Sequence, residues 1–197
     1  YNTAAGTEIT VVHGELLNKK GRLVKENTYK QKMVFYTDGT EREMHCRFTW
    51  FGFRYFEVRG NAKVKDCVVI HSDVKVDSDF SSSNEVLNWL REAYIRTQLD
   101  NMHCGIPSDC PHVERRGYTG DGQLTCNAAM MQLDAQKFYR KWIYDIADCQ
   151  DSITGHVQYT APYIPSGGGP GGWGCAIVMV PYIYYRNYGD TQILEEL

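Results

Sequence analysis

Ser81-Ser82-Ser83-Asn84-Glu85-Val86-Leu87-Asn88-Trp89-Leu90-Arg91-Glu92-Ala93-Tyr94-Ile95 is the stretch in which the apolar spacing changes period. Downstream of it, Val86, Leu87, Leu90, Tyr94, Ile95 and Leu99 recur at three- and four-residue intervals, the stripe of an amphipathic helix. Ser83 is the expected N-cap, and Gly105 followed by Pro107 is expected to stop the helix between residues 102 and 105. Upstream, from residue 6 to about 80, the pattern is extended. Glu8-Ile9-Thr10-Val11-Val12 is rich in β-branched residues and runs on to Gly14, and Lys32-Met33-Val34-Phe35-Tyr36 meets Asp38-Gly39, a hairpin signal. Cys46-Arg47-Phe48-Thr49-Trp50 and residues 51–58 follow. In the latter Phe51, Phe53, Tyr55 and Glu57 share one face. Cys67-Val68-Val69-Ile70-His71 and Val74-Lys75-Val76 supply further strand. Strands at this spacing predict an antiparallel sandwich, with the aromatic residues 48–56 in its core.

Beyond the switch, helices are expected over about 122–133, 135–149 (Phe138, Trp142, Ile143 and Ile146 on one stripe) and 175–187, the last bent at Pro181. Another begins at Asp190-Thr191. Residues 151–174 read as a loop ending in Ser166-Gly167-Gly168-Gly169-Pro170-Gly171-Gly172-Trp173-Gly174. The expected fold class is therefore mixed. A partial β-sandwich domain (1–80) is followed by an α-helical segment (81–197).

Composition narrows the function. The chain has 197 residues, 43% hydrophobic, 23% charged and 13% aromatic, the profile of a globular protein. A net charge of −3 offers no basic face for nucleic acid or anionic lipid. No apolar run nears the roughly 20 residues of a membrane span. Seven cysteines at irregular spacing, with no CxxC pair, fit a reducing compartment, so a cytoplasmic location is expected over a periplasmic or extracellular one. A homodimer is left open. The chain opens at Tyr1-Asn2-Thr3 without Met and stops at Ile193-Leu194-Glu195-Glu196-Leu197, inside a helical pattern. Both ends are expected to be internal to a longer protein.

The chemistry concentrates between residues 105 and 121. Asp109, Glu114 and Asp121 stand five and seven residues apart in one loop controlled by Pro and Gly. That spacing leaves two readings open. One is a solvated, helix-capping loop. The other is a carboxylate cluster whose mutual repulsion holds a proton near neutral pH, with Tyr118 and Trp173 as apolar walls around a sugar. Glycoside cleavage needs such a proton, given by one carboxylic acid to the leaving oxygen.

Here the sequence resembles a known family. Ser108-Asp109-Cys110-Pro111 with Glu114-Arg115-Arg116-Gly117-Tyr118-Thr119-Gly120-Asp121 is similar to the "DCP … ER-x-G-(W/Y)-x-GD" block of family 78 α-L-rhamnosidases. Phe48-Thr49-Trp50-Phe51-Gly52-Phe53-Arg54-Tyr55 resembles their "F-x-x-x-GFRY" strand. Lys141-Trp142-Ile143-Tyr144-Asp145-Ile146 with Gln150, and Gly172-Trp173-Gly174 with Pro181, Tyr185 and Tyr188-Gly189-Asp190, match further blocks in order. The resemblance implies a β-sandwich leading into the opening helices of an (α/α)6 barrel. It also implies inverting hydrolysis of terminal non-reducing α-L-rhamnosides, without a cofactor or metal. Rhamnose-containing glycosides or polysaccharides, such as flavonoid rhamnosides and pectic chains, are the implied substrates. Carried over, Glu114 is the general acid, Asp109 and Asp121 bind rhamnose hydroxyls, and Tyr118 and Trp173 pack on the sugar's apolar face. Arg115 is expected to pair with a carboxylate. Two departures bear on substrate. Cys175 stands where the family often carries Asp, and His112 and Val113 stand where many members carry Arg. They keep in view a glycosidase of the same scaffold acting on another sugar, and a non-catalytic carbohydrate-binding relative.

Other signals are weaker. His103, Cys104, Cys110 and His112 lack the spacing of a zinc site. Cys110 and His112 lack an orienting third group for nucleophilic catalysis. The glycine run contains neither GxxxxGK[ST] nor any Lys. Asp145, Asp148 and Asp151 read as a solvated face rather than a calcium site.

An inverting mechanism also needs a second carboxylate, and the resemblance puts it on a later barrel loop. Twelve helices of about 11–12 residues already need roughly 130 residues, more than residues 81–197 supply. The 197-residue chain alone is therefore expected not to turn over rhamnosides. Rhamnose release by the purified chain, followed by chromatography, would overturn that expectation.

Overall fold

The computed structural model describes residues 4–24, 31–169 and 171–197. Tyr1-Asn2-Thr3 and Pro170, both part of the sequence reading, lie outside the described residues. The chain divides into two compact units. One comprises Tyr1–Val69 with Cys110–Glu114, the other Ile70–Asp109 with Arg115–Leu197.

The first unit is built on β1 (Glu8–Gly14), whose β-branched residues suit a central strand. It pairs antiparallel with β2 (Lys32–Tyr36), Glu8 opposite Tyr36 and Val12 opposite Lys32. Its other edge pairs with β3 (Tyr55–Arg59), Thr10 opposite Arg59 and Gly14 opposite Tyr55. The order is thus β2-β1-β3. Ile9 is buried on this sheet, and His13 stacks on Phe51 with centroids 4.4 Å apart.

Several strand expectations are corrected. Asp38-Gly39 does not turn β2 back on a following strand; among the described residues β2 is a terminal strand of the sheet, paired on one edge with β1. Asp38 instead closes a local turn, its Oδ1 accepting the Thr40 N–H at 3.0 Å and the Thr40 hydroxyl at 2.7 Å. Residues 46–50, 67–71 and 74–76 form no named strand, and Phe48 is 97% exposed rather than core. β-propensity measures fit to a neighbouring strand, and without that neighbour these runs make no ladder. Of residues 51–58 only the last four are strand. The Gly52 N–H goes to the carbonyl of Pro111 (2.7 Å) and so is lost to the sheet. Among the described residues this unit holds one three-stranded sheet, a single layer of the expected sandwich.

The second unit is helical. α1 (Glu85–Leu99) is capped by Asn84, not Ser83; the extended Asn84 accepts the Val86 N–H at 3.0 Å. The helix ends at Leu99, short of the expected 102–105. Met102–His103 (β4) and Ile106–Pro107 (β5) form a small hairpin, with Cys104 and Gly105 both at positive φ, 55° and 71°. That is the geometry of a two-residue primed turn, so Gly105 turns a hairpin rather than stopping a helix. α1 also buries less than its stripe implies, since Val86, Leu87 and Leu90 remain exposed and Ile95 is buried.

α2 (Thr119–Gln132), α3 (Gln136–Asp148), α4 (Ala176–Tyr188) and α5 (Gln192–Glu195) carry the core. Phe138, Trp142, Ile143 and Ile146 on α3 are all buried, as their spacing requires, and α4 packs on both α2 and α3. Pro181 lies inside α4, and Gly189, left-handed at φ 67°, ends that helix by donating its N–H to Tyr185 O. No helix is long and apolar enough to cross a membrane among the described residues. All seven cysteines are free thiols.

Trp142 fixes the closest approach in this core. A Cβ at Gly122, on α2, would sit 2.2 Å from its ring. Alanine in an open helix is favoured over glycine by about 1 kcal/mol, but overpacking a rigid indole costs about 1–3 kcal/mol. Gly122→Ala should therefore lower the urea midpoint. Gly172→Ala, with no atom within 4 Å, should leave it unchanged. Matching midpoints for the two variants would contradict this packing.

Candidate functional site

Residues 101–121 are held by main-chain hydrogen bonds. Ser108 N–H donates to Asn101 O at 2.8 Å. Asp109 N–H donates to Arg116 O, and Arg116 N–H returns a bond to Asp109 Oδ1, both at 2.9 Å. This reciprocal pair pins the two ends of the loop from 109 to 116. One oxygen of Asp109 is thereby committed to the backbone. Arg115 adopts a left-handed φ of 53°, rare for a side chain of its size, just before the loop closes.

Gly117 is required by contact. A Cβ there would lie 2.3 Å from Ala161 O and 2.5 Å from Ile106 Cγ2, and Ala161 N–H donates to Gly117 O at 2.9 Å. Tyr118, half-buried, bridges to Thr160, and Thr119 N–H donates to Tyr159 O at 2.9 Å. α2 starts there and sets Asp121 in its first turn. The helix N-terminus and its own backbone N–H favour the charge of Asp121, yet the net shift is upward. Loss of hydration pushes its carboxyl up from the ordinary 3.8, and the charge of Asp109 adds to the push.

Trp173 lies against the same turn. A Cβ on Gly120 would sit 2.9 Å from its Cε2 and Nε1, and the indole stays 45% exposed. The aromatic ring beside it is Tyr159, centroids 5.8 Å apart, a residue that no motif in the sequence singled out. The helical unit thus brings Asp109 and Asp121 into mutual influence and lays Trp173 on Gly120, next to Asp121 in the chain. It also carries Arg115 and Tyr118.

Glu114 belongs to the sheet unit, with Cys110–Glu114. This segment is seated by Gly52, which donates its N–H to Pro111 O and whose Cβ would lie 2.8 Å from Pro111 backbone and ring atoms. Phe51-Gly52-Phe53-Arg54 does not fill a core as expected, since Phe53 is exposed and Phe51 half-buried. Its glycine makes room for the segment that carries Glu114, and the sequence reading missed that role. Among the described residues no group of three or more His, Cys, Asp or Glu could hold a metal ion. His103 is buried, with Nε2 2.8 Å from Ile70 O.

The comparisons with known proteins put the chain in the glycoside hydrolase class. Residues 75–197 match the family model described as the bacterial α-L-rhamnosidase 6 hairpin glycosidase domain, and residues 1–76 match the bacterial α-L-rhamnosidase concanavalin-like domain. The chain belongs to the family of bacterial α-L-rhamnosidases, glycoside hydrolase family 78. It is 32% identical to an α-L-rhamnosidase of Streptomyces avermitilis over 98% of its own length and 19% of that relative. An α-L-rhamnosidase of Formosa agariphila is 30% identical over 81% of this chain and 18% of the relative. The solved α-L-rhamnosidase of Dictyoglumus thermophilum superposes with a TM-score of 0.85 at 35% identity, over 98% of this chain and 23% of that one. The Streptomyces avermitilis enzyme complexed with L-rhamnose gives a TM-score of 0.81 at 30% identity, over 99% of this chain and 20% of that one. The chain spans about a fifth of the length of these curated relatives.

The carboxylate pair makes a titration prediction. Asp121 binds its proton more tightly folded than unfolded, so its ionisation lowers stability as pH rises above the ordinary 3.8. Asp121→Asn should gain stability over wild type as pH rises from 4 to 7, and the two should converge at low pH. Asp109→Asn should lower the Asp121 midpoint in a carboxyl NMR titration. A midpoint unmoved by Asp109→Asn would refute the coupling.

Proposed function

We propose that this chain serves in an inverting α-L-rhamnosidase that releases terminal non-reducing α-L-rhamnose from rhamnosides. The observation that carries the reading is family membership over both matched segments, with Asp109, Glu114 and Asp121 all present at the positions of the resemblance. In this reading the sheet is one layer of a β-sandwich and the helices open an (α/α)6 barrel. The concanavalin-like and 6 hairpin descriptions of the matched models support both.

Glu114 is the general acid. It protonates the glycosidic oxygen as the bond to the aglycone breaks, while a carboxylate outside residues 1–197 activates water on the opposite face, about 6.5–9.5 Å away. Asp109 and Asp121 accept hydrogen bonds from rhamnose hydroxyls. With Oδ1 of Asp109 fixed on Arg116 N–H, the carboxylate is held in one orientation before substrate arrives. That order would otherwise be lost as entropy on binding. Trp173 and Tyr118 face the apolar side of the ring and its methyl group. Arg115 pairs with a carboxylate and stabilises its charge. The reading takes rhamnose-containing glycosides or polysaccharides as substrates and needs no cofactor.

The test is hydrolysis of an unactivated α-L-rhamnoside by the longer protein that carries this chain. Glu114→Gln should lower kcat by about 10²-fold or more, the contribution of general acid catalysis. An aryl leaving group needs little protonation and would hide the loss. Equal rates for wild type and variant would remove Glu114 from the acid role. Failure of both on rhamnosides, with cleavage of another glycoside, would redirect the substrate.

A further inference from the structure

The two aromatic rings beside the Asp121 turn are clipped between glycines. Trp173 lies on Gly120, where a Cβ would meet its indole at 2.9 Å. Tyr159 lies on Gly167, where a Cβ would meet the phenol ring at 2.9 Å. The rings pack on each other at 5.8 Å with planes tilted by 55°. Each outer side of the pair is therefore backbone, and neither neighbour leaves room for a side chain.

Tyr159 is itself fixed by its main chain. Its N–H donates to Gly167 O and its carbonyl accepts the Thr119 N–H, both at 2.9 Å, while the Thr119 hydroxyl donates to the same carbonyl at 3.2 Å. Thr119 is the first residue of α2, two before Asp121. Trp173 in turn accepts the Ala176 N–H on its carbonyl at 3.1 Å, at the start of α4. The indole thus comes from one helix start and its ring partner is tied to another. A half-exposed indole on a glycine-rich loop would ordinarily sample several rotamers. Here Tyr159 closes one side and Gly120 another.

We infer that Tyr159 is a positioning residue for the sugar subsite, holding the exposed part of the Trp173 indole in place beside the turn that carries Asp121. The inference rests on the proposed α-L-rhamnosidase reading, in which Trp173 receives the apolar face of a 6-deoxyhexose. Its contribution is made by the ring, through contact with the indole, because its polar main-chain groups are already committed. Loss of the ring frees the indole and leaves binding to order it. The effect falls on KM and on affinity, with the proton-transfer step at Glu114 unchanged.

The experiment uses the longer protein and a double-mutant cycle. Tyr159→Ala should raise KM for an α-L-rhamnoside, and weaken L-rhamnose binding by calorimetry, by about three- to tenfold, the worth of one aromatic pair. Its kcat should stay within about twofold. Tyr159→Phe should restore KM, since it keeps the ring. Trp173→Ala should carry the larger penalty, and adding Tyr159→Ala to it should change nothing further. Additive losses, or an unchanged KM in Tyr159→Ala, would overturn the inference. Acrylamide quenching of the Trp173 emission, obtained by difference from the Trp173→Ala protein, supplies a readout without substrate. It should rise in Tyr159→Ala and return in Tyr159→Phe, and unaltered quenching would also overturn the inference. If wild type neither binds nor cleaves rhamnosides, the substrate reading fails, and the quenching result still decides whether Tyr159 holds Trp173.

Discussion

The helical unit depends on the backbone of one buried residue. Ala161 is fully buried, its carbonyl accepts the Trp142 indole N–H at 3.0 Å, and its N–H donates to Gly117 O. A buried carbonyl without a partner would cost roughly 1–3 kcal/mol, so this satisfied pair is worth keeping at the expense of sequence freedom. That expense falls on Gly117, where any Cβ would strike the same carbonyl, and on Gly122, where it would strike Trp142. The glycines of Gly117-Tyr118-Thr119-Gly120-Asp121-Gly122 therefore serve packing. The core of α3, the loop after it and the carboxylate-bearing turn are joined at a single residue.

That arrangement explains which parts of the fold could be read in advance. α2, α3 and α4 lie within three residues of their expected bounds, because each buries a continuous stripe and the burial itself sets the period. The stop of α1 could not be read, since Gly105 has the same signature in a helix stop and a primed turn. What decides is the pairing of His103 with Ile106, a contact made after the helix has ended. The strands were least legible for the same reason. Phe48, Val68 and Val69 have strong strand propensity and no ladder, whereas β1 has both.

The site divides along similar lines. Its charged candidates could be nominated because acid chemistry restricts residue type and the motif groups them within thirteen positions, 109 to 121. Their electrostatic ranking was not legible. Asp121 holds its proton above the ordinary range through desolvation and then through Asp109, and neither follows from a spacing of twelve residues. Tyr159 was invisible for a different reason. Its value comes from Gly167 and Trp173 packing on its ring, and a lone tyrosine in a long loop carries no mark of that.

Glu114 shows how a distant motif can position a candidate site residue. Its segment is held by the sheet unit through the Gly52–Pro111 hydrogen bond, and the space is available only because residue 52 has no side chain. The aromatic residues on either side, Phe51 and Phe53, both pack on His13, which is buried on β1. Displacement of that ring cluster would move Gly52, then Pro111, then the segment ending at Glu114. Catalytic geometry tolerates little such movement, as misplacement by about 1 Å can cost 10²-fold in rate. The likeness of residues 48–55 to the family strand is therefore a constraint on the segment ending at Glu114, the acid of the proposed reading, as much as a constraint on the sheet.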